Sequence, residues 1–243
     1  MCNKVRVHSV ESFGAADGPG VRYIIFLQGC NMRCKYCHNP DTWNTDGGEE
    51  MTAEEIINKA LRYKSYWKDD GGITVSGGEP LLHIDFLTEL FTLAKENNIN
   101  TVIDTSGSVF SREKAFLEKF DKLMKLTNLV MLDIKEINPE RHKIITGRDN
   151  ENILDMAKYL SEINKPMWIR HVLVPEYSDF DEDLQKLSEF IKMLSNVEKV
   201  EVLPYHTLGQ FKWENLNIPY ALKNISPPTK ERIKNAEKIL NIR

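Results

Sequence analysis

Cys30, Cys34 and Cys37 follow one another in the spacing C-x3-C-x2-C, within the stretch Gln28 to Asn39. That stretch is too short and too polar to bury three thiols as packing residues. Soft sulfur donors this close together suit zinc or an iron–sulfur cluster. Clusters that only carry electrons are held by four thiolates. Three thiolates with no fourth nearby leave one iron with an open position, which suits chemistry at the metal. Structural zinc is the alternative, with His38 or Cys2 as fourth ligand. His38 directly adjoins Cys37, which makes joint ligation awkward, and structural zinc sites pair two separated knuckles. Cys2 reads as a free thiol.

The segments that must position this stretch repeat one plan. Val21 to Gln28 is an apolar run that reads as a buried strand, with the cysteines at its C-terminal end. Five further strands follow: Gly72 to Ser76, one from Asn100, Leu129 to Leu132, Met167 to Val174 and Lys199 to Leu203. Helical spacing of apolar residues separates them, beginning with a capping box at Thr52 and Glu55. A last helix is expected to open at Ser226-Pro227, since proline favours the first helical position. Strands apolar on both faces, alternating with helices, belong to a parallel sheet covered by helices. Six such units predict an α/β chain, either an open partial barrel or a doubly wound sheet. Lys4 to Phe13 reads as an edge strand or hairpin arm, and Gly14 to Gly20 as a turn-rich loop.

Polar residues fall at the strand ends. Gly77-Gly78-Glu79 ends the second unit, Asp104 the third, Asp133 and Lys135 the fourth, and His206 the sixth. Parallel α/β folds place their sites at the C-terminal ends of strands. Each residue has a plainer reading: Gly-Gly-Glu as a turn, Asp104 as a cap, Asp133 with Lys135 as an ion pair, His206 as a lone loop histidine. Their common placement outweighs those readings. His8, His83, His142 and His171 read as surface or satisfied side chains.

The 243 residues carry a net charge of -4, with 41% hydrophobic and 28% charged residues. This composition fits a globular protein and argues against a general nucleic-acid binder. No apolar run is long enough to span a membrane, and the N-terminus lacks the apolar stretch of a secretory signal. Four cysteines, three of them clustered, predict metal ligation in a reducing cytoplasm rather than a disulfide framework.

Cys30-x3-Cys34-x2-Cys37, with aromatic Tyr36, resembles the signature of the radical S-adenosylmethionine (SAM) superfamily. Ser76-Gly77-Gly78-Glu79-Pro80 is similar to its Gly-Gly-Glu motif. Asp17-Gly18-Pro19-Gly20-Val21-Arg22, Tyr36-Cys37-His38-Asn39, Asp133-Ile134-Lys135 and Leu203-Pro204-Tyr205-His206 narrow the resemblance to activators of glycyl radical enzymes of the pyruvate formate-lyase type. It implies a single domain over 1–243, with a partial (β/α)6 TIM-like barrel roughly over 21–206, an N-terminal extension 1–20 and a C-terminal extension 207–243.

By the same resemblance, Cys30, Cys34 and Cys37 hold a [4Fe-4S] cluster, and SAM chelates the open iron. Tyr36, Cys37, His38, Gly78, Glu79, Asp104, Asp133, Ile134, Lys135 and His206 contact that cosubstrate. A monovalent cation, Na+ or K+, is implied beside it, with Asp104, Thr105, Met131 and Asp133 as ligands. Asp17, Gly18, Pro19, Gly20, Arg22 and Arg170 would meet the partner, pyruvate formate-lyase or a related glycyl radical enzyme, with 14–20 as the closing loop. The implied reaction is reductive cleavage of SAM to methionine and a 5′-deoxyadenosyl radical, which takes hydrogen from a partner glycine. No acid–base residue is required. A flavodoxin or ferredoxin as electron donor and a monomeric state complete the expectation. The rival readings are a plain electron-transfer protein, a zinc-stapled binding module, and a radical SAM enzyme acting on a small molecule.

Overall fold

The computed structural model describes residues 3–241, so Cys2 lies outside the described residues. The chain divides into two compact units. The first comprises 3–31 and 42–131, the second 32–41 and 132–241.

The first unit contains β1 (Lys4–Gly14), β2 (Arg22–Leu27), β3 (Glu49–Thr52), α1 (Ala53–Leu61), β4 (Gly72–Gly77), α2 (Ile84–Glu96), β5 (Asn100–Thr105), α3 (Lys114–Leu126) and the start of β6 (Leu129–Asp133). β2, β4 and β5 run parallel, with Leu27 opposite Gly77 and Val75 opposite Ile103. β1 pairs antiparallel with both β2 and β3. Ile24, Ile25, Ile73, Val75, Val102 and Ile103 are fully buried, as are Leu87, Leu90 and Phe91 of α2. This is the double-sided burial that the apolar strands require. The capping box at the start of α1 forms as read: Thr52 Oγ1 accepts from Glu55 N, and Glu55 Oε2 from Thr52 N.

The second unit contains the end of β6, α4 (Pro139–Thr146), α5 (Glu151–Glu162), β7 (Met167–Leu173), α6 (Asp181–Lys192), β8 (Val197–Pro204), α7 (Gln210–Asn215) and α8 (Lys230–Ile239). β7 and β8 are parallel. The last helix starts later than the prolines suggested. Thr229 is its N-cap, accepting from Arg232 N at 3.2 Å, and Pro227 and Pro228 lie ahead of it. A hydroxyl that satisfies an orphan N–H fixes the start better than a proline's φ preference. β3, α4 and α7 are absent from the sequence reading; each is short, and apolar periodicity needs length to register.

Arg22 corrects an expectation. It is wholly buried, and its guanidinium donates to Thr74 Oγ1 (3.0 Å), to Asn100 Oδ1 (3.0 Å), and to the carbonyls of Pro19, Asp70, Asn100 and Ile73. It therefore clasps the loop from inside the first unit and has no surface to offer a partner. Burial without a carboxylate in this set pulls its pKa down to about 9, which leaves it charged at neutral pH. The glycine-rich loop is held at the N-terminal end of β2 and β4, where a Cβ on Gly20 would lie 2.7 Å from Gly71 N. It reaches as far as Thr74, whose hydroxyl donates to Asp17 O at 2.7 Å. The cysteines follow the opposite, C-terminal end of β2, so these contacts make the segment a plug at the strand starts rather than a loop closing over the cysteine turn. Replacing Arg22 with Met should strand several buried carbonyls and lower unfolding stability by about 3 kcal/mol or more. Urea denaturation reads the change; a loss within about 0.5 kcal/mol would contradict the clasp.

Candidate functional site

The first unit contributes three strand ends. After β2 the chain is tied down residue by residue: Gly29 N donates to Thr42 O (2.7 Å) and Cys30 N to Trp43 O (3.2 Å). The turn after β4 backs directly onto it, with Gly78 N donating to Leu27 O (2.9 Å) and Glu79 N to Gly29 O (2.7 Å). A Cβ on Gly78 would sit 2.0 Å from Gly29 O and 3.3 Å from Cys30 Cβ. Only glycine permits that approach, so the Gly-Gly turn and the first cysteine form one backbone assembly.

The Glu79 side chain turns into the protein. It is fully buried, and its carboxylate accepts from Thr105 Oγ1 (2.5 Å), Ser106 Oγ (2.5 Å), Ser106 N (3.0 Å) and Leu81 N (3.1 Å). Burial raises its pKa, and these four donors work against that shift. The side chain locks the β4 turn to the end of β5, which leaves backbone atoms as the contact this turn can offer. Asp104 accepts from Ser76 Oγ at 2.6 Å. Thr105 Oγ1, besides donating to Glu79, accepts from Gly107 N at 2.9 Å. Ser108 Oγ donates to Asn31 Oδ1 at 2.6 Å, steadying the residue after Cys30. Ser76, Ser106 and Ser108 went unread because serine at a strand end carries no spacing signal.

The second unit holds Cys34 and Cys37 on one turn, closed by Cys37 N donating to Cys34 O at 3.0 Å. Arg33 N and Lys35 N donate to the carbonyls of Thr146 and Ile145 at the end of α4. Asp133, at the end of β6, lies between two cations: Lys135 Nζ at 2.9 Å from Oδ2, and Arg170 Nε at 3.2 Å from Oδ1. Burial opposes charge on Asp133, yet Lys135 and Arg170 hold its carboxyl below the usual range. Burial likewise opposes the Lys135 ammonium, and Asp133 keeps it protonated. Arg170, expected to face a partner, is thus largely buried and engaged with Asp133. Lys135 also lies 5.7 Å from the Tyr36 ring, and the buried Tyr36 hydroxyl has no hydrogen-bond partner. His38 and His206 stack, with ring centroids 4.1 Å apart at 22°. His206 Nδ1 is buried and unpartnered. Burial, then His206, depresses the His38 pKa. His171 is buried, with ring nitrogens 2.9 Å from Ile134 O and 2.8 Å from Ser178 O.

The chain is similar to known proteins over most of its length. The Radical SAM superfamily profile matches residues 24–191. A pyruvate formate-lyase-activating enzyme of Streptococcus mutans is 56% identical over 97% of this chain and 90% of its own length. The chain belongs to the radical SAM superfamily, among its pyruvate formate-lyase-activating enzymes. The Listeria monocytogenes relative of the same name is 52% identical, covering 97% of this chain and 95% of its own. A domain of such an enzyme from Bacteroides vulgatus superposes with a TM-score of 0.58 at 25% identity, over 70% of this chain and 93% of that one. A radical SAM methyltransferase from Sphaerobacter thermophilus shares the fold at a TM-score of 0.64 and 18% identity, over 90% of this chain and 63% of that one.

The family implies a [4Fe-4S] cluster and SAM, and the donor chemistry fits. None of Cys30, Cys34 and Cys37 is in a disulfide. Burial pushes the Cys34 thiol up to about 12, with Lys135 acting in the opposite direction. A metal on sulfur removes that proton outright. One carboxylate between two buried cations leaves net positive charge, and Lys135 acts on Cys34. Within neither unit do three or more His, Cys, Asp or Glu side chains gather into an ion-holding group among the described residues. Cys34 and Cys37 belong to the second unit and Cys30 to the first.

Directly after Lys135, Glu136 is buried with Oε2 unpartnered. Burial, reinforced by Asp183, raises its pKa from 4.5 to about 7. A carboxyl raised in the folded state supports stability below its unfolded pKa and loses that contribution as pH rises through the folded one. Wild-type stability should therefore fall between about pH 4.5 and 7, and Glu136→Gln should flatten that fall by roughly 1–3 kcal/mol. Urea midpoints at pH 5 and pH 8 measure it; parallel profiles would contradict the assignment.

Proposed function

We propose that this chain activates pyruvate formate-lyase by generating a glycyl radical on it. Two observations support this most: in the first unit the Gly78 turn backs directly onto Cys30, and in the second the buried Lys135–Asp133–Arg170 group acts on Cys34. Cys30, Cys34 and Cys37 would hold the [4Fe-4S] cluster. Bound together, cluster and SAM supply one-electron cleavage of a carbon–sulfur bond and a species able to take hydrogen from a glycine Cα.

The chain's own residues bind and orient. Gly78 gives the cosubstrate access to backbone, and Glu79 holds that backbone rigid from behind. Lys135, kept charged by Asp133, suits a carboxylate group. The stacked His38 and His206 rings form a flat surface suited to a heteroaromatic base, and the orphaned His206 Nδ1 is a polar atom for it to engage. No side chain is asked to move a proton. Chemistry this reactive requires that water be excluded, and Ile134, between Asp133 and Lys135, is buried.

Finer features belong to the same reading. A flavodoxin or ferredoxin would supply the electron, the chain would act as a monomer, and its place would be the cytoplasm, in keeping with three clustered thiols kept out of disulfides. No helix among the described residues is long and apolar enough to cross a membrane. A monovalent cation, Na+ or K+, would find oxygen donors in Asp104, Thr105, Met131 and Asp133. Thr105 is the weakest of these, because its hydroxyl already serves Glu79 and Gly107.

Anaerobic reconstitution with iron and sulfide, followed by electron paramagnetic resonance of the reduced protein, should give a cluster signal. SAM should alter that signal and yield 5′-deoxyadenosine. Cys34→Ala should lose the cluster and lower 5′-deoxyadenosine formation by at least about 100-fold. A zinc-only protein, or product formation that survives in Cys34→Ala, would overturn the assignment.

A further inference from the structure

The segment after His206 carries no recognisable motif, yet in the second unit it grips the far side of the last cysteine turn at four points. Trp213, almost wholly buried, donates its Nε1–H to the carbonyl of Cys37 at 2.9 Å. Lys212 Nζ donates to Asn39 Oδ1 at 2.8 Å and pairs with Asp41 Oδ2 at 3.0 Å. Gly209 lies so close to His38 that a Cβ there would stand 2.7 Å from His38 Cα and 3.1 Å from His38 O. His38 Nε2 meets the His206 carbonyl at 3.3 Å beneath the stacked rings.

The gripping segment is itself anchored. The Trp213 indole packs edge-on against Tyr220 at 5.3 Å. The Tyr220 hydroxyl bonds to that of buried Tyr205 at 2.9 Å, next to His206. Trp213 holds Cys37, Lys212 holds both Asn39 and Asp41, and Gly209 and His206 meet His38. These polar contacts on Cys37, Asn39 and Asp41 use carbonyl and side-chain oxygens.

We infer that Gly209, Lys212 and Trp213 are positioning residues: a clamp that fixes where Cys37 presents its sulfur and how His38 and His206 stack. The inference rests on the reading that Cys37 and His38 serve the cluster and SAM. Groups that orient metal ligands from behind, without touching the metal, commonly shift affinity or activity by 10–100-fold when altered. Gly209 is the sharpest probe, because its backbone (φ −84°, ψ −6°) is one that alanine adopts without strain. Only the contact with His38 opposes a methyl group there.

The test uses the reconstituted, cluster-loaded protein. SAM is titrated into the dithionite-reduced sample while the paramagnetic resonance signal of the cluster is followed, and melting midpoint and iron content are measured alongside. Gly209→Ala and Trp213→Phe should melt within a few degrees of wild type and retain iron, yet require about tenfold more SAM for half-saturation. Lys212→Met should behave likewise, and Lys212→Arg should recover most of that loss. Folded, cluster-loaded variants that titrate as wild type does would overturn the clamp alone. Wild-type protein whose cluster signal ignores SAM would overturn the reading beneath it, and the clamp with it.

Discussion

The Asp133 carboxylate, held between Lys135 and Arg170 at the end of β6, is the interaction on which the charge balance of the second unit's interior depends. Three ionised groups with side chains 11–16% exposed are unfavourable to desolvate individually, and each is tolerable only because the others are there. Two cations share one carboxylate, so the group keeps a positive bias toward its surroundings. Buried thiols in those surroundings resist ionisation, as Cys34 does. A cluster that converts them to thiolates would meet a field already set to receive negative charge. Losing Asp133 would leave two buried cations facing each other; losing either cation would return the carboxylate toward its buried, protonated form.

Glu79 in the first unit is the counterpart with the opposite solution. Its carboxylate is surrounded by neutral donors from Thr105, Ser106 and Leu81, with no cation among them, and it acts as a rivet between two strand ends. Both acidic residues follow strands and look alike in sequence, yet one tunes the charge of a site and the other fixes a backbone. Arg22 extends the contrast: it is a buried cation satisfied almost wholly by carbonyls and amide oxygens, and it secures the glycine-rich loop at the strand starts. The structural use of each charged group follows from its partners rather than from its place in a motif.

Much of this was legible in sequence. The cysteine spacing, the strand ends at Gly78, Asp104 and Asp133, and the long helices all appear as read, because each depends on local pattern or on apolar periodicity over many residues. Side-chain direction was not legible. Nothing in Gly-Gly-Glu-Pro says that the glutamate turns inward, and nothing in Asp-Gly-Pro-Gly-Val-Arg says that the arginine is buried at the opposite strand ends from the cysteines. Those outcomes depend on Thr105, Ser106, Asn100 and Thr74, which lie far off in sequence and are common in any chain. The grip of Gly209, Lys212 and Trp213 on Cys37 to Asp41 was hidden for the same reason, since it joins a short loop to a six-residue helix more than 160 residues away.

In the proposed reading, the protein's groups bind, orient and exclude water around radical chemistry, and a partner supplies the glycine that gives up hydrogen. The most direct test follows one atom. Pyruvate formate-lyase labelled with [2,2-²H]glycine would be incubated anaerobically with the reconstituted, reduced protein and SAM, and the 5′-deoxyadenosine analysed by mass spectrometry. The account predicts deuterium in 5′-deoxyadenosine, appearing together with a glycyl radical signal on the partner. Unlabelled 5′-deoxyadenosine with no radical on the partner would contradict it.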